Sequence, residues 1–188
     1  MAVKLYPGAF KPPHRGHFDL VKSLINGSAQ ARTYDLESSQ DAADKVIQGK
    51  GEKLEKIERV MIYIGSGLRN GIDKENAKAV WDIYKKYLPG NVEVIVADAN
   101  PMLVARSHAK NRPTEKFYAV TGVRTSEDYL DLKRVSAFKN LDNVQGLAVN
   151  GGENSNVRAT GFRDAILKEH CCFDNQFIDV VIHSKLNS

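Results

Sequence analysis

Two histidines, His14 and His17, flank Gly16 within the run Pro7-Gly8-Ala9-Phe10-Lys11-Pro12-Pro13-His14-Arg15-Gly16-His17. Imidazoles donate hydrogen bonds to phosphate oxygens, and do so more strongly when protonated. A glycine between them lets backbone approach a ligand closely. If a helix opens at this point, its unpaired N–H groups and positive partial charge add an anion site. The chemistry that fits is the handling of a polyphosphate. Two other stretches have the same character. In Thr121-Gly122-Val123-Arg124, Gly122 permits close approach and Arg124 offers a guanidinium to a phosphate. In Val157–Ile166, Thr160 and Arg163 stand at i and i+3, so on a helix both aim at one phosphate chain. The loop at Gly65–Asn70, and Arg106 or His108, are further candidates for contacting a second substrate.

These residues need a frame that brings them together. Ala2–Tyr6, Arg59–Ile64, Val92–Ala97, Phe117–Thr121, Val144–Val149 and Ile178–Ile182 are nearly continuous apolar runs, as strands buried on both faces are. Between them lie helix-period segments. His17–Ile25 puts Phe18, Val21, Leu24 and Ile25 on one stripe, and Lys74–Leu88 has Asp73 in place as its N-cap. Asn100-Pro101 predicts a short helix over Met102–Ala109, and Phe162–His170 makes a fourth. Strands alternating with helices predict an α/β fold, a Rossmann-like doubly wound parallel sheet of five to six strands with flanking helices. In such sheets ligands sit beyond the carboxyl ends of the strands, which is where the motifs fall. Residues 1–188 read as a single domain with a polar insertion around 26–56. That insertion predicts a surface excursion, either a mobile lid or a contact between copies, so a homo-oligomer stays open.

Composition narrows the function. The chain has 42% hydrophobic and 27% charged residues and a net charge of +4, ordinary for a globular protein and suited to an anionic ligand. Its basic residues are dispersed among acidic ones with no interleaved aromatics, which argues against nucleic acid as a partner. No apolar run reaches the about 20 residues of a membrane span, and the start lacks an apolar signal-peptide core. The expectation is a cytoplasmic protein with no membrane partner. Cys171 and Cys172 are adjacent, too close for ordinary disulfide geometry, and read as reduced thiols. No carboxylate cluster at metal-binding spacing is visible, so no protein metal ligands are expected.

Gly8, Phe10, Pro12, His14, Gly16 and His17 match, in order and spacing, the signature G-x-F-x-P-x-H-x-G-H. On that motif the chain resembles the HxGH nucleotidyltransferase superfamily. The family's late I-S-S-T-x-x-R signature is met at Thr160 and Arg163, while Arg158-Ala159 departs from the usual serine pair. The resemblance implies transfer of a nucleoside monophosphate from a nucleoside triphosphate to a phosphorylated small-molecule acceptor, with release of pyrophosphate. It implies catalytic roles for His14, His17 and Arg163. Nucleotide contacts are implied around Gly8, Ala9, Phe10, Lys11, Gly16, Gly122, Arg124 and Thr160, with Phe10 and Pro12 shaping the loop. Lys11 is either a phosphate contact or a solvated lysine. Mg²⁺ is expected as a cofactor held through the nucleotide's phosphates. Within the resemblance, the proline of Phe10-Lys11-Pro12 favours ATP, with nicotinamide mononucleotide as first-choice acceptor; pantetheine phosphate is less favoured. CTP as donor, or a degenerate module that binds nucleotide without turnover, are the alternatives.

Overall fold

The computed structural model describes residues 2–52, 59–69, 71–89 and 91–151. These residues build one six-stranded sheet in the order β2-β6-β5-β1-β3-β4. The strands are β1 Ala2–Gly8, β2 Gln30–Tyr34, β3 Arg59–Ile64, β4 Val92–Val96, β5 Lys116–Gly122 and β6 Val144–Asn150. All neighbours run parallel except β2, which pairs antiparallel with β6. The predicted α/β class, doubly wound and Rossmann-like, is the one observed.

Continuous apolar strands appear because both faces of the sheet are covered. On one face Val60, Ile62 and Ile64 of β3 pack with Leu20, Val21 and Leu24 of α1 (Arg15–Ile25) and with Trp81 of α3 (Lys74–Lys85). The alternate residues Met61 and Tyr63 turn to the other face, against Ala105 and Ala109 of α4 (Pro101–Lys110). Helix starts follow local chemistry. The Asp73 carboxylate accepts from the Asn76 amide at 2.7 Å, and Asn100 accepts from Met102 at 2.9 Å with Pro101 in the first turn. α3 stops at Lys85 rather than Leu88, and Leu88 is still buried against the core just beyond the helix end.

Residues 26–56 depart from the sequence-based expectation. They hold β2 and α2 (Ser39–Ile47), so this stretch belongs to the sheet and core as well as to the surface. It looks polar because β2 is an edge strand of sequence Gln-Ala-Arg-Thr-Tyr, and because α2 buries only small or short side chains, Ser39, Ala42, Ala43 and Val46. Few methylenes are needed where backbones pack closely. A second element escaped the pattern reading. Between β5 and β6 lie a 3-10 turn at Ser126–Asp128, a single helical turn α5 (Tyr129–Leu132) and a 3-10 stretch at Lys133–Phe138, each too short to show a period. The predicted helix 162–170 and strand 178–182 lie outside the described residues.

From β1 the chain goes by way of α1 to β2 at one edge, returns to β3 and β4 on the other side of β1, then crosses back to β5 and β6. The connections that leave the parallel neighbours β1 and β5 thus both start at the same end of the sheet. A crevice opens there, the usual ligand position in such sheets.

Candidate active site

A cavity of about 310 Å³ occupies that crevice. Gly8, Ala9, Phe10, Lys11, His14 and His17 from the β1–α1 corner line it, and Gly122 and Arg124 face them from the end of β5. Eight of the predicted site residues thus converge on one cavity, although they are separated by more than a hundred positions in the chain. Gly16 is not among the lining residues; it is buried in the first turn of α1. Thr160 and Arg163, together with Arg158, lie outside the described residues.

The corner is shaped by aromatic packing. Phe10 has a positive φ of 50° and is almost fully buried. Its ring meets Tyr6, His17 and Trp81 edge-on at centroid distances of 5.0, 5.0 and 5.5 Å. A Cβ on Gly8 would come within 2.8 Å of that ring, so Gly8 clears space for Phe10 as well as exposing backbone to the cavity. Phe10 therefore acts as the expected loop-shaping wedge. Gly122 has a similar structural duty: a Cβ there would meet Leu20 Cδ1 at 2.9 Å, so the glycine lets α1 pack closely on the end of β5.

Lys11 is not a solvated lysine. Its side chain is 2% exposed and Nζ donates to the Gly65 carbonyl at 2.7 Å, tying the β1–α1 corner to the end of β3. Burial, with Arg69 nearby, lowers its pKa.

The two imidazoles stack at 3.7 Å between centroids, 28° from parallel. The His14 backbone N–H donates to His17 Nδ1 at 3.2 Å. An amide can only donate, so that nitrogen must be an acceptor and the His17 proton sits on Nε2. His14 is 1% exposed and both its ring nitrogens lack a partner among the described residues. A buried polar group without a partner is uncommon in native structures, and in a cavity wall it points to a ligand. Burial pushes His14 down to about 4, helped by the positive charge of Arg124. His17 is held well below the ordinary histidine range by burial, then by His14 and Arg124. Both rings are thus neutral near pH 7 in the free protein. The stronger donors that protonation would make of them are therefore absent near neutral pH, because desolvation disfavours the charged form.

Arg69, from the loop after β3, also lines the cavity. The other two second-substrate candidates do not. Arg106 Nη1 donates to the Ala137 and Lys139 carbonyls at 3.0 Å each, and His108 packs against Tyr63 and Phe117. Both serve the α4 face. Conversely, sequence reasoning missed Asp131 and Arg134, which reach the lining from the β5–β6 connection. Their i, i+3 spacing was readable, but only the fold carries that short turn to the crevice. Among the described lining residues Lys11, Arg69, Arg124 and Arg134 face a lone carboxylate, Asp131. The cavity is a cationic bowl. No group of three or more His, Cys, Asp or Glu that could hold a metal occurs among the described residues.

The architecture defines an α/β, Rossmann-like chain whose six-stranded sheet matches that of a nucleotidyltransferase-like structure. The match is to the crystal structure of a candidate nicotinate-nucleotide adenylyltransferase from Vibrio parahaemolyticus, with a TM-score of 0.56 and 15% identity, covering 89% of this chain and 88% of that one. At that identity the likeness establishes the fold and leaves the chemistry to the site. No protein-family profile and no curated protein sequence matches the chain. No helix among the described residues is long and apolar enough to cross a membrane.

Proposed function

We propose that this protein is a nucleotidyltransferase that moves AMP from ATP onto a phosphorylated small molecule and releases pyrophosphate. The observation that carries it is the unpartnered, buried His14 stacked on His17, beside Arg124 in a cationic cavity. Nicotinamide or nicotinate mononucleotide is the first acceptor to try; the fold's likeness to a candidate nicotinate-nucleotide adenylyltransferase supports that choice.

In this reaction an acceptor phosphate oxygen, already an anion, forms a bond to the α-phosphorus. The bond from that phosphorus to the bridging oxygen breaks, and pyrophosphate leaves with the electron pair. No covalent intermediate or dedicated base is needed, so catalysis is mainly positioning and charge stabilisation. His17 Nε2–H is a donor whose direction is fixed by the bond at Nδ1. The two His14 ring nitrogens, unpartnered among the described residues, serve a phosphate oxygen and a proton. Arg124 adds a permanent charge. Thr160 and Arg163 complete the triphosphate grip in this reading. The residues suit a Mg²⁺ carried on the nucleotide, because Asp131, the carboxylate in the lining, is already paired with Arg134. Such an ion supplies charge neutralisation along the triphosphate.

The test is pyrophosphate release with Mg²⁺, ATP or CTP, and nicotinamide or nicotinate mononucleotide. Release with ATP supports the proposal, release with CTP alone moves it to cytidylyl transfer, and binding without release for every acceptor marks a sensor. His17→Ala should lower kcat by about 10²-fold with the fold retained by circular dichroism, as loss of one charge-stabilising donor does. Turnover near the parent's would remove the histidines from the mechanism.

A further inference from the structure

Residues 26–56 play no part in that mechanism, yet one long-range contact ties them to the cavity. Tyr34, at the end of β2, is 2% exposed. Its ring lies over Gly146 of β6, where a Cβ would come within 2.7 Å of it, and its hydroxyl donates to the Leu132 carbonyl at 3.0 Å. The side chain of Thr121, a cavity-lining residue, also lies beside the phenol. Leu132 follows Asp131 and precedes Arg134 by two positions. Around this bond Ala42, Ala43 and Val46 of α2 pack with Val123, Leu132 and Ala148 in one buried cluster. The segment that looked like a surface excursion is the bed under the cavity wall that carries Asp131 and Arg134.

Arg134 Nη2 lies 2.7 Å from Asp131 Oδ1, and the two side chains are 59% and 48% exposed. An ion pair this exposed adds little to stability. It does restrict the guanidinium, which has five donors and keeps several for a ligand when one edge is held by a carboxylate. The turn bearing the pair has no regular partner in the sheet, so its position depends on what is packed behind it. Tyr34 supplies the buried hydrogen bond there.

We propose that Arg134 binds a substrate phosphate, that Asp131 orients it, and that Tyr34 is a positioning residue acting through the Leu132 carbonyl. The inference rests on the nucleotidyltransferase reading of the cavity. The phosphate belongs either to the nucleotide or to the acceptor, and separate titrations distinguish the two.

The experiment is calorimetric titration of the full chain with Mg²⁺–ATP and, separately, with nicotinate mononucleotide. The variants are Arg134→Gln, Asp131→Asn, Tyr34→Phe and the double variant Tyr34→Phe/Arg134→Gln. Arg134→Gln should weaken at least one ligand by about 10- to 100-fold, the range for a hydrogen bond to a charged group. The ligand that responds identifies the phosphate. Tyr34→Phe should weaken the same ligand by about 3- to 10-fold and add nothing once Arg134 is gone, because residues that act through one another are not additive. Asp131→Asn, which leaves the buried cluster intact, should weaken that ligand as well and covers the case of a Tyr34 variant that does not fold. Affinities within twofold of the parent for Arg134→Gln, or a full additional loss in the double variant, would overturn the inference alone. A parent chain that binds neither ligand overturns the nucleotidyltransferase reading and the inference with it.

Discussion

In the β1–α1 corner, residues 7–17, the polar groups that line the cavity are largely dry, while Arg15 alone faces outward. His14 and Lys11 are buried, the Phe10 ring meets those of Tyr6, His17 and Trp81, and the imidazoles are neutral. In the β5–β6 connection, residues 123–139, the polar groups are wet. Asp131 and Arg134 pair in the open, and the Asp128 carboxylate accepts from the Arg124 and Thr125 amides at 2.7 and 3.1 Å. The contrast separates two ways in which the proposed site would meet an anion. A dry, neutral donor gains strength from low dielectric and from fixed geometry, at the cost of being left unsatisfied without ligand. A wet cation carries its charge at every relevant pH, but it is screened and needs bracing to be directional.

The comparison can be broken most forcefully at Phe10. Phe10→Ala removes the wedge that holds the dry corner, and urea unfolding should show a loss of about 3–5 kcal/mol, as for other buried aromatics. A loss below about 1 kcal/mol would mean that the corner is not built on that ring.

A second, smaller effect is on the acid side. Below the ordinary histidine pKa near 6.5 an unfolded chain takes up a proton that folded His14 refuses until about pH 4. Stability should therefore be complete above pH 6.5, fall as pH drops towards 4 and level off below that for this group. The single-residue share is roughly 3 kcal/mol. Denaturant midpoints from pH 7 to 4 measure the slope, and His14→Gln should flatten it; an unchanged slope in the variant would show that His14 is not held neutral.

The smallest effect sharpens the contrast from the wet side. Asp131→Asn should shift folding stability by less than about 0.5 kcal/mol, since half-exposed pairs contribute little. A much larger loss in thermal or urea unfolding would mean that the β5–β6 turn is structural in the same sense as the dry corner.

Legibility in the sequence followed the same division. The β1–α1 corner could be read because its residues are contiguous: a glycine, an aromatic, a proline and two histidines sit in one run whose spacing is itself the geometry. Strands β1, β3, β4, β5 and β6 were legible because burial on both faces leaves long apolar runs. β2 was not, because an edge strand tolerates Gln, Arg and Thr, and α2 was faint because alanines carry little hydrophobic signal. Lys11 illustrates a harder limit. Nothing in its neighbours told a solvated lysine from one bonded to Gly65, since that partner is fifty-four positions away.

What the sequence determined by itself was the fold class and the one corner where chemistry is local, through periodicity and contiguous spacing. Only the tertiary structure decided the protonation of the imidazoles, the tie from Lys11 to β3, and the presence of Asp131 and Arg134 in the cavity. The reason is physical. Desolvation and long-range hydrogen bonds depend on what the folded chain brings alongside a residue, and that is written nowhere in the residue's own stretch of sequence.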